Sequence, residues 1–204
     1  MFYIIRIVIG FLICTIVAVA IIRMIRKKAL LIISLIFIVM LIIASMFIPV
    51  ENLFVTFSTP ETAYRYLYSK DPVLKVAGET SDFMVSIVDN NTVNIGLFSK
   101  TESGWKLGLG SDIRLVYSTI EDGVVFDVYQ FKNQEEYYIS VLPTKENVLI
   151  DISDNRQSEF YHLEFFQSYL KQPYYMYYAY VKDFNETYSV KINDKAYKIV
   201  SEKN

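Results

Sequence analysis

The segment 29–49 constrains this chain more than any other feature. Its twenty-one residues carry no charge. As a helix rising about 1.5 Å per residue, it would be about 30 Å long, which matches the hydrocarbon core of a bilayer. The segment is therefore predicted to be a transmembrane helix whose partner is the lipid bilayer.

A second apolar run precedes it. Residues 7–22 are uncharged, and the run extends back to Tyr3 if Arg6 reaches the nearer interface. A second span over about residues 3–22 is therefore predicted. A cleaved signal peptide is the rival interpretation, because residues 18–20 read Ala-Val-Ala, but the basic residues that follow are a poor start for an exported mature chain.

The turn at 23–28 sets the predicted orientation of this helical hairpin, which occupies residues 1–50. Four basic residues lie in it: Arg23, Arg26, Lys27 and Lys28. Short basic loops beside spans stay in the cytoplasm. Both termini are therefore expected outside, with residues 51–204 as an extracytoplasmic domain at the cell membrane.

The two parts of the chain differ in charge. Residues 1–50 have five basic and no acidic residues, whereas residues 51–204 have fifteen basic and twenty-two acidic residues, a net charge of −7. Nucleic acid is therefore not an expected partner, because phosphate binding needs clustered Lys and Arg. The one cysteine, Cys14, lies in the first predicted span, so neither an intramolecular disulfide nor a thiolate metal site is expected.

Residues 51–204 are predicted to be mainly β. One short helix is predicted at residues 58–68, with Ser58 or Thr59 as N-cap and Pro60 in the first turn. From Asp71 onward the apolar period is two. Strands are predicted near 73–76, 82–88, 93–98, 105–109, 113–120, 124–131, 137–142, 148–152, 174–181, 188–192 and 196–200, and the pattern of 159–165 fits either a strand or a helix.

Short strands at this spacing are typical of an antiparallel β-sandwich or a barrel-like domain. A break near 110–112 would divide a helix-plus-meander part from an all-β part. Whether residues 51–204 form one domain or two stays open from the sequence.

Several motifs carry a resemblance. They are Phe54-Val-Thr-Phe-Ser-Thr-Pro-Glu-Thr-Ala-Tyr-Arg-Tyr66, the meander ending Gly104-Trp-Lys-Leu-Gly108, and the closing Tyr177-Tyr-Ala-Tyr-Val181 and Val190-Lys-Ile-Asn-Asp-Lys195. These stretches resemble uncharacterised membrane-anchored proteins of low-GC Gram-positive bacteria. The resemblance implies a Gram-positive cell surface and supplies no site residues.

The only histidine is His162, so a Ser-His-Asp triad or a metal site with an imidazole ligand depends on it. The favoured interpretation is a partly buried strand residue with one hydrogen-bonded nitrogen. A cell-wall hydrolase is an alternative, and it would need a cleft joining His162 to a carboxylate such as Asp151 or Glu164.

Other candidate sites lack decisive residues. Residues 151–155 have no central glycine or distal glutamate of a calcium loop and are expected to form a solvated hairpin turn. Residues 104–111 lack the lysine of a Walker loop. The pairs at 121–122 and 135–136 are expected in solvated loops, where carboxyl groups titrate normally. No catalytic residue, metal site or cofactor is therefore predicted, and the chain is not expected to be an enzyme.

The block 174–181 is the most suggestive feature. In a strand, its tyrosines would alternate between two faces that are both apolar or amphipathic. One interpretation is a central strand between two packed layers. The other is an exposed stripe of Tyr174, Tyr178 and Tyr180 that binds sugars or a partner protein.

These observations favour a non-enzymatic, membrane-tethered binding or interaction module outside the membrane. Its partner would be a protein or a cell-surface polymer. A cytoplasmic, ligand-gated two-helix membrane effector is an alternative, but it requires the basic turn 23–28 to lie outside, against the charge rule.

Overall fold

The computed structural model describes most of the chain beyond residue 54. The described residues are 15–19, 32–34, 36, 38–40, 52, 55–88, 92–107, 113–131, 135–144, 148–166, 173–182 and 184–199. The chain divides into two compact units, residues 1–55 and residues 56–204.

Within the first unit, residues 15–19, 32–34, 36 and 38–40 are helical. Most residues of the two predicted spans lie outside the described residues. The basic turn 23–28 and the proposed break at 110–112 lie wholly outside them. The part of the chain that is described contains no helix of the length and apolarity needed to cross a bilayer. The two spans stay a prediction.

The second unit begins with helix α1 (Pro60–Tyr68), which agrees with the predicted helix. Its N-cap is Thr59, whose Oγ1 accepts a hydrogen bond from the Thr62 backbone N–H at 3.2 Å, while Thr62 Oγ1 accepts one from the Thr59 N–H at 3.3 Å. Pro60 occupies the first turn, where its missing N–H costs nothing. The helix ends at Ser69, whose φ of 56° is left-handed.

Twelve strands are described. They are β1 (Leu74–Ala77), β2 (Ser81–Val88), β3 (Thr92–Thr101), β4 (Gly104–Leu107), β5 (Ile113–Glu121), β6 (Val124–Phe131), β7 (Tyr137–Pro143), β8 (Ile152–Asp154), β9 (Tyr161–Phe166), β10 (Pro173–Val181), β11 (Ser189–Ile192) and β12 (Lys195–Lys198). They form three sheets in the orders β1-β2-β3-β4, β5-β6-β7-β10-β9 and β12-β11-β8. Each strand pair is antiparallel. The mainly antiparallel β character predicted from the sequence is confirmed.

The sheets stack in layers. One face of the first sheet packs on α1, through Met84 and Phe98 against Ala63 and Tyr64. Its other face packs on the second sheet, and the far face of the second sheet packs on the third. The second sheet is therefore covered on both faces.

Two hairpin turns depend on left-handed residues. Asp122 and Gly123 have φ values of 53° and 86°, and Asn193 and Asp194 have φ values of 43° and 71°. Such positive φ pairs match the twist of the flanking strands. Both turns agree with the sequence prediction.

Two strand predictions need correction or completion. The strand expected at 148–152 is wrong, because residues 148–151 lie outside the strands and β8 starts only at Ile152. Val148 and Leu149 are exposed, so their apolar side chains mimicked a strand without facing a core. The ambiguous segment 159–165 is resolved as strand β9, which pairs with β10.

Candidate functional site

A cleft of about 410 Å³ opens where the first sheet meets the second. The end of β1 forms one wall, and the loop after β8, the start of β9 and the end of β10 form the others. The polar and aromatic side chains that line it are Arg156, Ser158, Glu159, Tyr161, Tyr180 and Lys182. Because β10 pairs with β9 so that Tyr178 is opposite Tyr161, the two cleft tyrosines come from neighbouring strands.

The loop that follows β8 is shaped by one carboxylate. Asp154 Oδ1 accepts hydrogen bonds from the backbone N–H groups of Arg156 at 3.0 Å and Ser158 at 2.8 Å. Its Oδ2 accepts a third from the Tyr188 hydroxyl at 2.9 Å. Between them Gln157 has a left-handed φ of 60°. Asp154 therefore holds the loop in the conformation that presents Arg156 to the cleft.

The aromatic wall consists of Tyr161 and Tyr180. The Tyr161 hydroxyl donates to Glu159 Oε2 at 2.6 Å, and this hydrogen bond raises the pKa of Tyr161 above its ordinary value. Tyr180 is half-buried and its ring packs against Tyr138, with 5.6 Å between ring centroids. The phenol of Tyr161 is therefore protonated at neutral pH, and the ring of Tyr180 is held in place by Tyr138.

Two cations lie at the rim. Arg156 Nη2 donates to Thr187 Oγ1 at 3.2 Å, and Lys182 Nζ pairs with Glu79 Oε1 at 2.6 Å. The Lys182–Glu79 pair joins the end of β10 to the turn after β1. Since Glu159 also lines the cleft, the lining combines positive and negative groups rather than one sign of charge.

The turn beside the cleft, residues 78–81, is fastened to the second sheet by a buried carboxylate. Glu136 is only 5% exposed and accepts hydrogen bonds at 2.5 Å from the Thr80 N–H and from Ser81 Oγ. The Tyr138 hydroxyl donates to the Ser81 carbonyl at 2.8 Å. A Cβ at Gly78 would lie 2.3 Å from that hydroxyl, so only glycine fits. The prediction that the Glu135–Glu136 pair is solvated is wrong for Glu136.

The three tyrosines of the predicted stripe do not share one environment. Tyr178 is 1% exposed, and its hydroxyl donates to Met176 Sδ at 2.9 Å. Tyr174 is half-buried and packs against Phe165, whereas Tyr180 lines the cleft. Strand β10 lies between β7 and β9 and is packed on both faces, which is the arrangement of the central-strand interpretation.

His162 is exposed, so the prediction that it is partly buried is wrong. It lies on an edge strand, with its ring 6.2 Å from the rings of both Tyr175 and Tyr177. Because successive strand residues point to opposite faces, His162 points away from the face on which Tyr161 lines the cleft. The cleft-lining residues therefore do not include an imidazole base.

Residues 151–155 do not form the expected hairpin turn. Residues 152–154 are strand β8, which pairs with β11, and Asp154 is committed to the loop and to Tyr188. Within the described ranges, no group of three or more His, Cys, Asp or Glu side chains is placed to hold a metal ion. Arg23, Arg26, Lys27 and Lys28, predicted to set the topology, lie outside those ranges.

The cleft can hold a ligand by hydrogen bonds and ring stacking. It offers phenol hydroxyls, a guanidinium, an ammonium and a carboxylate around two aromatic rings. Sequence reasoning named Tyr180 but missed Arg156, Tyr161 and Lys182. Only the pairing of β9 with β10 brings Tyr161 beside Tyr180, and Arg156 joins them because Asp154 folds the intervening loop. The tyrosine-rich sequence of β10 was the one available signal.

No protein-family model, curated protein sequence or solved structure matches this chain.

Proposed function

We propose that this chain is a membrane-tethered, non-enzymatic binding module whose domain 56–204 lies outside the cytoplasmic membrane and binds a cell-surface polymer of sugars. The observation that carries the proposal is the cleft bordered by Tyr161 and Tyr180 together with Arg156, Glu159 and Lys182. Flat aromatic rings stack on the apolar faces of sugar rings, and the surrounding donors and acceptors bond to their hydroxyl groups.

The mixture of charges favours a polar rather than a strongly anionic ligand. The rim cations both have partners, since Lys182 pairs with Glu79 and Arg156 bonds to Thr187. A site built for phosphate would instead gather cations or backbone N–H groups around one point. Planar side chains that donate and accept within one small cleft suit a ligand rich in hydroxyl groups.

The membrane tether is proposed from the sequence. The uncharged segments 7–22 and 29–49 are long enough to span, and the four basic residues between them favour a cytoplasmic turn. A domain starting at residue 56 would then lie close to the outer surface of the membrane, where the polymers of the cell envelope are within reach.

Binding is tested with the full chain in detergent micelles. Purified cell-wall glycan is the probe, and the fraction of protein that sediments with it is measured. We expect wild-type protein to sediment and Tyr161→Ala or Arg156→Ala to weaken binding about tenfold or more, because each removes a group that contacts the ligand. Tyr174→Ala is the matched control, since it truncates a half-buried tyrosine of β10 six residues from Tyr180. Equal losses for Tyr161→Ala and Tyr174→Ala, or no sedimentation of wild type, would contradict the proposal.

Orientation is tested by cysteine labelling in whole cells. With Cys14 replaced by alanine, a cysteine is introduced by Glu102→Cys in the exposed turn between β3 and β4. A membrane-impermeant maleimide should label this variant in intact cells. Labelling only after lysis would place the domain in the cytoplasm, refute the surface module and favour the ligand-gated effector.

A further inference from the structure

The second sheet has one long edge strand with exposed apolar side chains. Among the strands that the structure describes, β5 pairs only with β6. Two large apolar residues on this nine-residue strand are exposed, Leu115 at 51% and Ile120 at 72%. The other edge of the same sheet, β9, exposes only His162 and Glu164 among its described side chains. The two edges of this sheet therefore differ in what they offer to a partner.

A β-bulge arranges the side chains of β5. The register with β6 shifts between Leu115 and Tyr117, so Val116 is the extra residue. Leu115 is opposite Tyr129 and Ile120 is opposite Val125, which places both on the face toward the first sheet. In a regular strand, residues five apart would point to opposite faces. The bulge therefore brings the two exposed apolar residues to the same face.

The same shift applies to the charged ends of the strand. Arg114 is opposite Gln130 and Glu121 is opposite Val124, so both lie on the face toward the third sheet. Ser118 lies midway between them in the register. Ser118 is opposite Asp127 of β6. The β6 partners of Leu115 and Ile120 lie two residues from Asp127, one on each side of it. The β6 partners of Arg114 and Glu121 lie three residues from Asp127, again one on each side.

We propose that two copies of this chain pair through β5 in an antiparallel dimer whose two-fold axis passes through Ser118. In this register Leu115 of one copy is opposite Ile120 of the other, and Arg114 is opposite Glu121. Each pair occurs twice and its members lie on the same face, which is what direct cross-strand contact requires. The pairing joins two five-stranded sheets into one sheet across the dimer.

The pattern supports a second copy rather than an unrelated strand. Bulges and charges are also devices by which sheet edges avoid pairing. Here, however, the charges are opposite in sign at equal distances from the centre, and the apolar residues are matched in the same way. A two-fold contact of this kind uses the same edge on both copies, so it closes at two subunits and leaves no edge of β5 free for a third.

A disulfide at the axis tests the contact directly. In full-length protein with Cys14 replaced by alanine, Ser118→Cys would place two thiols on residues directly opposite each other, about 5 Å apart between Cα atoms, a separation that a disulfide bridges. We expect mild oxidation in membranes to give a covalent dimer. His162→Cys on β9 is the matched control and should give none. Equal yields from the two variants, or a ladder of larger species, would overturn the proposal.

Charge reversal provides a test that misfolding cannot imitate. Arg114→Glu or Glu121→Arg alone places like charges opposite each other at two points in the dimer, and either should raise the dimer dissociation constant about tenfold. The double variant Arg114→Glu/Glu121→Arg restores opposite charges and should return the constant to near the wild-type value. The constant is measured by mass photometry of the full chain in detergent, and fluorescence of the only tryptophan, Trp105, reports that each variant is folded. Absence of rescue in a folded double variant would refute the pairing.

Discussion

The two layers that flank the second sheet are built differently. Among the residues that the structure describes, the layer toward the third sheet contains fourteen buried apolar or aromatic residues, including Phe126, Val128 and Val190. The layer toward the first sheet contains eight of the described residues, and buried polar groups, Glu136 and Ser81 among them, lie beside it. The candidate cleft opens at the margin of this second, smaller layer.

The difference shows how one sheet serves two purposes. Apolar packing is strong but non-directional, so the layer toward the third sheet contributes stability. The hydrogen bonds that Glu136 accepts and that Tyr138 donates are directional, and they fix the turn at 78–81 beside the cleft. A polar margin that is fixed in position is suited to holding binding groups in place.

The largest expected effect comes from breaking the apolar layer. Phe126 is fully buried with its ring 5.2 Å from that of Tyr197. Phe126→Ala should lower the free energy of unfolding by about 3–5 kcal/mol, because it removes apolar contacts and leaves a cavity. The measurement is denaturant unfolding of the full chain, followed by Trp105 fluorescence. Leu149→Ala, at an exposed position, should change stability by less than about 0.5 kcal/mol.

Next in size is the loss of the buried carboxylate. Glu136→Ala removes the carboxylate that accepts hydrogen bonds from the Thr80 N–H and the Ser81 hydroxyl, and the loss of hydrogen bonds to a buried charged group costs about 1–3 kcal/mol. We expect destabilisation of about 2–3 kcal/mol together with weaker glycan binding, since the turn beside the cleft is released. Glu135→Ala removes the exposed neighbour and should change neither. Equal changes in stability and glycan binding for the two variants would show that the buried carboxylate of Glu136 contributes no more than an exposed side chain does.

A smaller effect is expected at Asp82, a buried residue of β2 in the first sheet. Burial raises the pKa of Asp82, and this outweighs the opposing influence of Lys75, whose Nζ is 3.6 Å from Oδ2. The folded state therefore binds the Asp82 proton more tightly than the unfolded chain does. Stability is lost as the pH rises from the pKa of Asp82 in the unfolded chain through its higher pKa in the folded state. Asp82→Asn should stabilise the domain at pH 7 relative to wild type.

That gain should shrink as the pH is lowered toward the ordinary pKa of an aspartate, where wild-type Asp82 is protonated as well. The measurement is the denaturant midpoint as the pH is raised from the ordinary pKa of an aspartate to neutrality. Asp71→Asn, at the exposed partner of Arg65, is the control. A stabilisation by Asp82→Asn that does not depend on pH would mean that the charge of Asp82 is not its cause.

The smallest effect is expected for the ion pair across the cleft. Lys182 and Glu79 are both mostly exposed, so water weakens their attraction. A double-mutant cycle with Lys182→Ala and Glu79→Ala should give a coupling free energy below about 1 kcal/mol. A larger value would show that this pair contributes more than an exposed ion pair does.

Much of the fold could be predicted from the sequence because its signals are local. The capping residue Thr59 with Pro60 marked α1, and period-two patterns marked most strands. The prediction failed at 148–151, where Val148 and Leu149 are exposed, because the strand begins only at Ile152. Periodicity reports which residues could be buried, but not whether another layer covers them.

The candidate site was less predictable. Tyr180 was singled out for its tyrosine-rich strand, yet its neighbour in that stripe, Tyr178, is in the core. Arg156 and Glu136 carried no signal of their own, because an isolated charged residue in a loop is ordinarily solvated. Their positions depend on partners distant in the chain, such as Thr187 for Arg156 and Ser81 for Glu136.

By itself, the sequence determined that residues 56–204 would be mainly antiparallel β, that a capped helix would precede the strands, and that β10 could be apolar on both faces. Tertiary structure alone decided that three sheets stack, that the Glu136 carboxylate is buried, and that Tyr161 and Tyr180 line the same cleft. The reason is physical: capping and strand alternation depend on residues a few positions apart, whereas burial depends on which distant surface packs against each face.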